Sequence, residues 1–535
     1  MMLTGVVRPI MGNIGATSDS GESMNWQSRL IVAAMAMFCI SMTGAAELSE
    51  EQRALHVLNR LGYGPRPGDV EHVVAIGVDH YIELQLNPEK IRLPNELLDR
   101  LDTLTSQDMS TGDLLAEYIA ANKAAKDGDS VAKDKRKETF KLIAEQTAEA
   151  RLARAINSPA QLEEVMVDFW FNHFNVFEGK GQDRAYISSY ERDAIRPYVL
   201  GHFRDMLGAT AKHPAMLFYL DNWLSVAPGF QAPGGKNANQ LVNGLNENYA
   251  REVMELHTLG VDGGYTQRDV TELARMLTGW TFDPREMVKG GATFRFAPRR
   301  HDNGDKDWLG KHISARGQAE GEWALDILAA HPATAHHISY QLTQYFISDV
   351  PPPALVDKLA KRFLDTQGDI REVLRTLFAS PEFWNSAQQG SKFKTPYQYV
   401  VSSARATGMT VANIRPLLGI LRQLGMPLYG CQTPDGYKNT EDAWLNPDAL
   451  TRRINFATAL ASGKLPITRN PDDDTGMAVS KEQAEKAAQV QAVDAHLLLT
   501  TLGTSISSRT RETIEKNPPA LQAAMVLGSP DFMRH

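Results

Sequence analysis

Cysteine is almost absent from this sequence, with 2 among 535 residues, so a fold held together by several disulfides is excluded. Charge of one sign is not in strong excess either, because 56 Lys and Arg residues stand against 64 Asp and Glu residues and the net charge is −8. Nucleic-acid-binding domains usually carry a basic face or stripe. We therefore expect no nucleic-acid partner.

Long hydrophobic runs are also missing. The predominantly apolar run over 30–42 has 13 residues, whereas a transmembrane helix needs about 20. Arg29 precedes this run and small residues follow it at 43–46, which is the three-part pattern of a signal peptide. We predict that residues 1–46 are a signal peptide with an N-terminal extension, cleaved near Ala46. The mature protein is then expected to be periplasmic or secreted, without a transmembrane segment.

Apolar residues make up 43% of the sequence and charged residues 22%, a composition typical of soluble globular proteins with large cores. Helical patterns dominate after the predicted signal peptide. Residues 49–61, for example, begin with Ser49 as a predicted N-cap and place leucines at helical spacing. Polar and apolar residues alternate at 292–297, which predicts a short β element. The predicted fold class is mainly α, a large multi-helix body with a small β-ribbon insertion near 281–313.

Gly, Pro and Asn are concentrated at 225–245, and a loop of this length is commonly functional or a mobile lid. We predict a single large helical domain over 47–535. If that domain is divided, this loop would join an N-terminal lobe (47–225) to a C-terminal lobe (246–535). Stability must come from burial alone, because removal of the signal peptide leaves Cys431 without a partner for a disulfide.

The segment 246–260 (NENYAREVMELHTLG) is predicted to form a helix with polar residues inside a broad apolar arc. Glu252 and His257 fall within this arc, whereas the helical wheel places Thr258 on the wetter face. An unpaired buried carboxylate is costly in free energy. We therefore expect Glu252 to be paired, bound to a metal or protonated. The alternative to a functional role is a buried Glu–Arg pair that joins two helices.

A second predicted helix, 160–174, has His173 near the middle of its apolar stripe and Asn172 at the edge. A lone histidine in such a stripe is often a hydrogen-bonded core residue, but two polar intrusions in one chain favour a shared polar site. The loop after the β element supplies a third candidate, because His301 and Asp302 are adjacent there. Such a pair provides a metal ligand with an orienting carboxylate, or a general acid and base. The alternative is a solvated turn.

Several common catalytic motifs are absent: the sequence has no HExxH pair, GxSxG elbow, Walker loop or CxxC motif. His331 precedes a proline and is predicted to cap the next helix. His336 and His337 are adjacent, so their side chains should point about 100° apart. The turn-like segment 435–444 carries aromatic residues that could line a saccharide or peptide groove, although we predict an ordinary surface loop there.

Several segments resemble a known bacterial family. The stretch NENYAREVMELHTLGVDGGYTQRDVTELARMLTGWTF (246–282) is similar to the most characteristic part of the family catalogued as domain of unknown function 1800. Further segments with this resemblance are LNRLGYGPRPGDV (58–70), FWFNHFNVF (169–177), HDNGDKDWLG (301–310) and WLNPDALTRRINFATAL (444–460). The resemblance implies a shared fold and an exported protein, often encoded beside another exported protein. It implies no particular reaction.

The resemblance also implies which polar positions the family keeps. They are Asn246, Glu247, Arg251, Glu252, Glu255, His301 and Asp302. At the position of His257, many members of the family look aromatic, which implies that this histidine packs in the core and is not an essential ligand.

The leading hypothesis is a hydrolase-type enzyme of the cell envelope that uses one divalent metal ion to cleave an envelope polymer or peptide. The predicted ligands are His173, Glu252 and His301. Glu252 and Asp302 are the predicted catalytic residues, and Asp302 would orient His301. The residues predicted to support the site are Asn172, Glu247, Arg251, Glu255 and Lys306.

Two alternatives stay open. A metal-free carbohydrate-active enzyme would use Glu252 as acid and Asp302 as base or nucleophile, which requires carboxyl groups about 5–10 Å apart. A non-catalytic envelope assembly or binding protein would instead use Glu252 and Arg251 structurally. The second exported protein that the resemblance implies would then be a candidate partner.

Overall fold

The computed structural model describes residues 48–127, 130–231, 244–469 and 492–535. The predicted signal peptide and its cleavage point lie outside these ranges, as does most of the loop predicted at 225–245. Within the described ranges, no helix is both long enough and apolar enough to cross a lipid bilayer.

The chain is mainly helical, which confirms the predicted fold class. The helices up to residue 255 are α1 (Glu50–Arg60), α2 (Asp69–Ile76), α3 (Val78–Gln85), α4 (Asn95–Asp102), α5 (Thr111–Asp127), α6 (Ser130–Asn157), α7 (Gln161–His173), α8 (Asp183–Ser189), α9 (Phe203–Lys212), α10 (Pro214–Tyr219) and α11 (Asn248–Glu255). The later helices are α12 (Gln267–Met276), α13 (Pro284–Met287), α14 (Gln318–Ala329), α15 (Pro332–Phe346), α16 (Pro353–Asp365), α17 (Ile370–Phe378), α18 (Pro396–Ala406), α19 (Arg415–Gln423), α20 (Glu441–Trp444), α21 (Pro447–Ala461), α22 (Ala495–Leu502), α23 (Ser508–Glu515) and α24 (Pro519–Leu527).

The strands are short and lie within the predicted β insertion. β1 (Trp280–Thr281) pairs antiparallel with β2 (Arg295–Phe296), so that Trp280 lies opposite Phe296. β3 (Lys306–Trp308) pairs antiparallel with β4 (Lys311–Ile313), which places Lys306 opposite Ile313. The prediction of a small β-ribbon near 281–313 is therefore confirmed, although it consists of two separate two-stranded pieces.

Local capping explains why several helices begin where the sequence predicts. Ser49 accepts a hydrogen bond from the backbone of Gln52, whose side chain in turn accepts from the backbone of Ser49, and this capping box starts α1. His331 caps α15, because its Nδ1 accepts a hydrogen bond from the backbone N–H of Ala333 at 3.1 Å. The predicted capping role of His331 is thus confirmed.

Helix α11 is shorter than predicted, and this changes the position of one residue. The backbone N–H groups of Leu256 and His257 both donate to the carbonyl oxygen of Glu252, and the helix ends at Glu255. Thr258, predicted on the wetter face, is fully buried. That prediction is wrong because the chain changes direction after Glu255, so a helical wheel no longer gives the direction of the following side chains.

The core contains large aromatic side chains and encloses α7. Three tryptophans are among the largest fully buried residues: Trp170, Trp280 and Trp308. Nearly all of α7 is buried, so its last residues, Asn172 and His173, are held in place by packing on several sides. The described residues between Leu48 and His535 cluster as one compact unit.

Candidate functional site

His173 ends α7 and lies beside two other imidazoles. Its ring centroid is 5.8 Å from that of His257 and 6.4 Å from that of His337. Burial lowers the pKa of His173 to about 3, so the neutral ring donates from Nε2 to the carbonyl oxygen of His257 at 3.0 Å. His337 donates in the same way to the carbonyl oxygen of Leu256 at 3.1 Å. These bonds hold α7 and α15 against the turn that ends α11.

A polar cleft of about 390 Å³ opens beside His173. Its walls come from α7, the end of α11, α15 and the segment 426–440. Its carboxylates belong to Asp168, Glu255 and Asp435, and amide side chains include Asn172, Gln341 and Asn439. A wall rich in hydrogen-bonding groups suits a polar ligand. We refer to this space as the cleft.

Asn172 fixes the segment that carries Asp435. Its Oδ1 accepts a hydrogen bond from the backbone N–H of Tyr437 at 2.7 Å, and its Nδ2 donates to the carbonyl oxygen of Tyr437 at 2.8 Å. Gly436 has a φ of +69°, and a Cβ atom there would lie 2.3 Å from the carbonyl oxygen of Asn172. Only glycine therefore allows this close approach. Asn172 acts as a positioning residue for the cleft.

Glu252 is half-buried one turn before Glu255. Its carboxylate has no hydrogen bond and no ion pair within the described part of the chain. Burial raises the pKa of Glu252, the charges of Glu255 and Asp435 add to this effect, and Arg251 opposes it. The protonated form of Glu252 is therefore favoured relative to an ordinary glutamate. Of the three states expected for Glu252, which are paired, bound to a metal and protonated, the raised pKa is in the direction of the protonated one.

Asp435 is shifted in the opposite direction. Partial burial raises its pKa, but hydrogen bonds from Lys438 and Thr433 outweigh burial and leave the pKa below the usual value. The Lys438 ammonium donates to Oδ2 of Asp435 at 2.8 Å. The cleft therefore has an ionised carboxylate on one wall, and its charge is one of the causes that raise the pKa of Glu252.

Asp168 lines the cleft and is bound by a buried arginine of α6. Its Oδ1 accepts a hydrogen bond from the buried guanidinium of Arg151 at 2.6 Å. Arg151 also donates to Glu191 at 2.9 Å, and the hydroxyl of Tyr429 donates to the same carboxylate oxygen at 2.8 Å. Burial raises the pKa of Asp168, whereas Arg151 lowers it. This buried network ties the cleft to the core.

His301 and Lys306 belong to a second polar cluster, centred on Glu320. The side chains of all three residues are completely buried. Glu320 is 3.3 Å from Nε2 of His301 and 2.5 Å from the ammonium of Lys306. It also accepts hydrogen bonds from the backbone N–H groups of Arg316 and Gly317 at the start of α14. The cluster therefore joins the β-ribbon to α14.

Asp302 is engaged by an arginine of α12. Nε of Arg275 donates to Oδ2 of Asp302 at 2.8 Å, and a terminal nitrogen of Arg275 donates to Oδ1 at 3.2 Å. Burial raises the pKa of Asp302, but the bonds from Arg275 and from the backbone of Gly304 lower it overall. Lys306 also donates to the carbonyl oxygen of Asp302. Asp302 is therefore held as an ionised carboxylate between the β-ribbon and α12.

Glu247 and Arg251 connect α11 to α12. Glu247 accepts hydrogen bonds from Arg251 at 3.2 Å, from Gln267 at 2.8 Å and from the hydroxyl of Thr271 at 2.8 Å. Arg251 donates to Gln267 as well, at 2.9 Å. These contacts fix the direction of α11 and hence the side from which Glu252 and the cleft-lining Glu255 project.

The structure thus brings the predicted site residues into two groups. Asn172, His173 and Glu255 line the cleft, with Glu252 beside them, whereas His301, Asp302 and Lys306 share the cluster around Glu320. In the described part of the chain, no contact links His173 or Glu252 to His301. Nor do the described residues contain a group of three or more His, Cys, Asp or Glu side chains arranged to hold a metal ion. Metal binding by His173, Glu252 and His301 stays a prediction.

Sequence reasoning missed several of the polar residues. Asp168 and Glu320 carry no motif that distinguishes them from ordinary surface residues, and for His337 the sequence indicates only that it points away from His336. The segment 435–444, for which the sequence predicts an ordinary surface loop, instead lines the cleft through residues 435 and 437–440. The adjacent histidines do follow the helical geometry, because His336 is exposed while His337 is half-buried against the cleft. The Asp-Gly dipeptide at 435 was the available signal, since it marks a tight turn.

Comparison with known proteins gives a family but no activity. A family model described as protein of unknown function (DUF1800) matches residues 56–534. No curated protein and no solved structure matches the sequence. The chemistry of the cleft is therefore the basis for a functional argument.

Proposed function

The chain belongs to the DUF1800 family, as its sequence segments predict, and we propose that it is an exported hydrolase-type enzyme that cleaves a polar polymer of the cell envelope. The observation that carries this proposal is the position of Asp435 and Glu252 relative to the cleft, because Asp435 lines it and Glu252 lies one turn before a lining residue of α11. Their surroundings move their pKa values in opposite directions. Two carboxyl groups whose pKa values are shifted in opposite directions are suited to act as acid and base in one reaction.

In the proposed reaction, protonated Glu252 gives its proton to the oxygen of the leaving group. Ionised Asp435 takes a proton from the attacking water, whose oxygen bonds to the carbon that loses the leaving group. One bond within the polymer is broken. Water supplies the hydrogen that one product gains and the hydroxyl that the other gains. Asp302, which the sequence pairs with Glu252, is held by Arg275, so Asp435 takes the part of base in this scheme.

The lining of the cleft favours a glycan as the polymer. Amides from Gln341 and Asn439 and hydroxyls from Thr395 and Thr440 offer both donors and acceptors. Tyr437 adds a half-buried aromatic ring, a surface on which a sugar ring can pack. These features support the carbohydrate-active alternative, with Asp435 as the second carboxylate.

The first test uses purified protein with a panel of neutral and acidic polysaccharides and of peptidoglycan, with new reducing ends as the readout. We expect Glu252→Gln and Asp435→Asn each to lower the rate by about 100-fold or more. Asp442→Asn is the matched control, because Asp442 is exposed on the same segment and lies outside the cleft lining. Circular dichroism and thermal unfolding confirm that each variant is folded.

The cleavage assay, together with metal analysis, separates the competing functions. Dialysis of the wild-type protein against a chelator followed by metal analysis tests the metal-assisted hydrolase, which would lose activity and release about one equivalent of ion. A folded wild-type protein that cleaves none of the polymers, or variants at Glu252 and Asp435 with wild-type rates, would contradict the proposed reaction. A loss of thermal stability in Glu252→Gln without any activity to lose would favour the structural role.

A further inference from the structure

A second open site, which we call the basic groove, lies on the side of the molecule formed by α5, α6 and α19. Its volume is about 700 Å³. Its cationic residues are Arg136, Lys137, Lys141, Arg184 and Arg422, and its carboxylates are Glu145 and Glu178. Five cations against two carboxylates give a local excess of three positive charges, whereas the whole chain has a net charge of −8. The local charge of the groove is therefore opposite in sign to the net charge of the chain.

Three of these cations are not bound by a carboxylate at salt-bridge distance in the described part of the chain. Arg136, Arg184 and Arg422 form no ion pair within 4.0 Å of a carboxylate in the described ranges of the chain. By contrast, Arg151, Arg196 and Arg275 each bind one or more carboxylates. An unpaired guanidinium presents several donors in a planar fork, which matches the oxygens of carboxylate, sulfate and phosphate groups.

The groove also presents aromatic surface. The rings of Tyr118 and Phe140 stack with centroids 5.0 Å apart and planes inclined by 19°, and both residues are half-exposed in the groove lining. Burial raises the pKa of Glu178 overall, although the positive charges of Arg184 and Arg422 act to lower it. Flat aromatic faces next to cations are suited to a ligand that carries both rings and negative charges.

The groove adjoins the cleft through one segment of chain. Pro427, Leu428 and Tyr429 line the groove and also a narrow cavity, which in turn shares Asp168, Asn172, Met426 and Tyr437 with the cleft. A polymer that occupied both sites would pass along this segment. None of the groove residues lines the cleft itself, so the groove is suited to hold a part of the polymer other than the units in the cleft.

We propose that the basic groove binds the anionic groups of an acidic polysaccharide whose neighbouring units occupy the cleft. This inference rests on the proposed function, because it names the substrate class for the same cleft. Guanidiniums from Arg136, Arg184 and Arg422 bind carboxylate or sulfate-type groups, and the Tyr118–Phe140 pair packs against sugar rings.

The test measures binding separately from cleavage. The purified protein, as wild type and as Glu252→Gln, is titrated by calorimetry with polygalacturonate, dextran sulfate and neutral dextran at low and high salt. We expect the acidic polymers to bind, with affinity that falls as salt is added, and neutral dextran to bind at least about tenfold more weakly. Whichever acidic polymer binds more tightly identifies the anionic group.

A triple variant, Arg136→Gln with Arg184→Gln and Arg422→Gln, should lose about tenfold or more in affinity for the acidic polymer. The matched control replaces three arginines that are exposed or partly exposed elsewhere, Arg92→Gln with Arg299→Gln and Arg509→Gln, and should change affinity by less than about twofold. Equal losses in the two triple variants, or no binding of either acidic polymer, would overturn the proposal. Binding of an acidic polymer without cleavage would support the proposed role of the groove and contradict the proposed hydrolase. Cleavage of neutral polymers alone would support the hydrolase and contradict the proposed role of the groove.

Discussion

Gly436 illustrates how much of the cleft depends on one residue. Its backbone passes the carbonyl of Asn172 so closely that a Cβ would meet the oxygen at 2.3 Å, and the next residue, Tyr437, exchanges two backbone hydrogen bonds with the side chain of Asn172. The carboxylate of Asp435 therefore keeps its place because a neighbouring position has no side chain. An amide at the end of α7 and a glycine in a distant loop together form this wall of the cleft.

Replacement of Gly436 by alanine should be costly for two reasons that a control can separate. Gly310→Ala is the control, because Gly310 has a similar φ of +72° but no atom within 4 Å of its would-be Cβ. We expect Gly310→Ala to lower the free energy of unfolding by about 1–2 kcal/mol, and Gly436→Ala to lower it by a further 1–3 kcal/mol, on the order of an overpacked core. Urea unfolding measures both. Equal losses would mean that the segment moves away from Asn172 easily.

Among the secondary-structure elements, the cluster around Glu320 connects β3 to the start of α14. Glu320 caps α14 through the backbone of Arg316 and Gly317, and binds Lys306 of β3 as well as His301. Short strands such as β3 and β4 are weak on their own. A buried ion pair between a strand and a helix terminus therefore fixes where the β-ribbon lies, although its net effect on stability is expected to be small.

Glu320→Gln should be strongly destabilising, because it leaves the buried ammonium of Lys306 without a charged partner. We expect a loss of about 3–5 kcal/mol in the free energy of unfolding. The double variant Lys306→Met with Glu320→Gln should be less destabilised than Glu320→Gln alone. Asp365→Asn, which breaks the solvent-exposed pair with Lys361, is the control and should change stability by less than about 1 kcal/mol. A double variant that is no better than the single one would show that the ion pair is not the cause.

Elements with clear local signals could be predicted from the sequence, and those that depend on distant contacts could not. Ser49 and His331 mark helix starts through bonds to residues two or three positions away, so the pattern contains all the information needed. The early end of α11 at Glu255 depends on packing against His173 and His337, from helices far away in sequence. For the same reason, the sequence could identify His173 and Glu252 as unusual residues but could not show that Asp435 is the carboxylate near them.

The whole molecule combines a large core with several buried imidazoles. Burial lowers the pKa of His56, His173 and His213 to about 3 in each case, and it lowers the pKa of His257 and His337 as well. Each of these groups binds a proton more readily in the unfolded chain, where the pKa is near 6.5, than in the folded one. The folded state therefore becomes less favourable as the pH falls below about 6.5.

We expect the free energy of unfolding to be constant near pH 7 and to fall between about pH 6.5 and pH 4, by up to about 1.4 kcal/mol per pH unit for each such histidine. His257→Phe should reduce that slope by about one such increment, because neither ring nitrogen of His257 has a hydrogen-bond partner among the described residues and a phenyl ring fills similar space. Urea unfolding at several pH values measures the slope. An unchanged slope in His257→Phe would show that this imidazole is solvated before the chain unfolds.

Cys431 lies in the segment 426–440, which forms one wall of the cleft, and its thiol allows the opening of this wall to be measured without a substrate. Asn175 donates to the carbonyl oxygens of Cys431 at 3.0 Å and of Thr433 at 2.8 Å, and the thiol is buried and free. Because a buried thiol reacts only when its surroundings open, the labelling rate of Cys431 reports how often this wall detaches from the core. With the predicted signal peptide removed it is the only cysteine of the chain, so labelling provides a single-site kinetic probe of local opening, and a ligand that occupies the cleft should slow it.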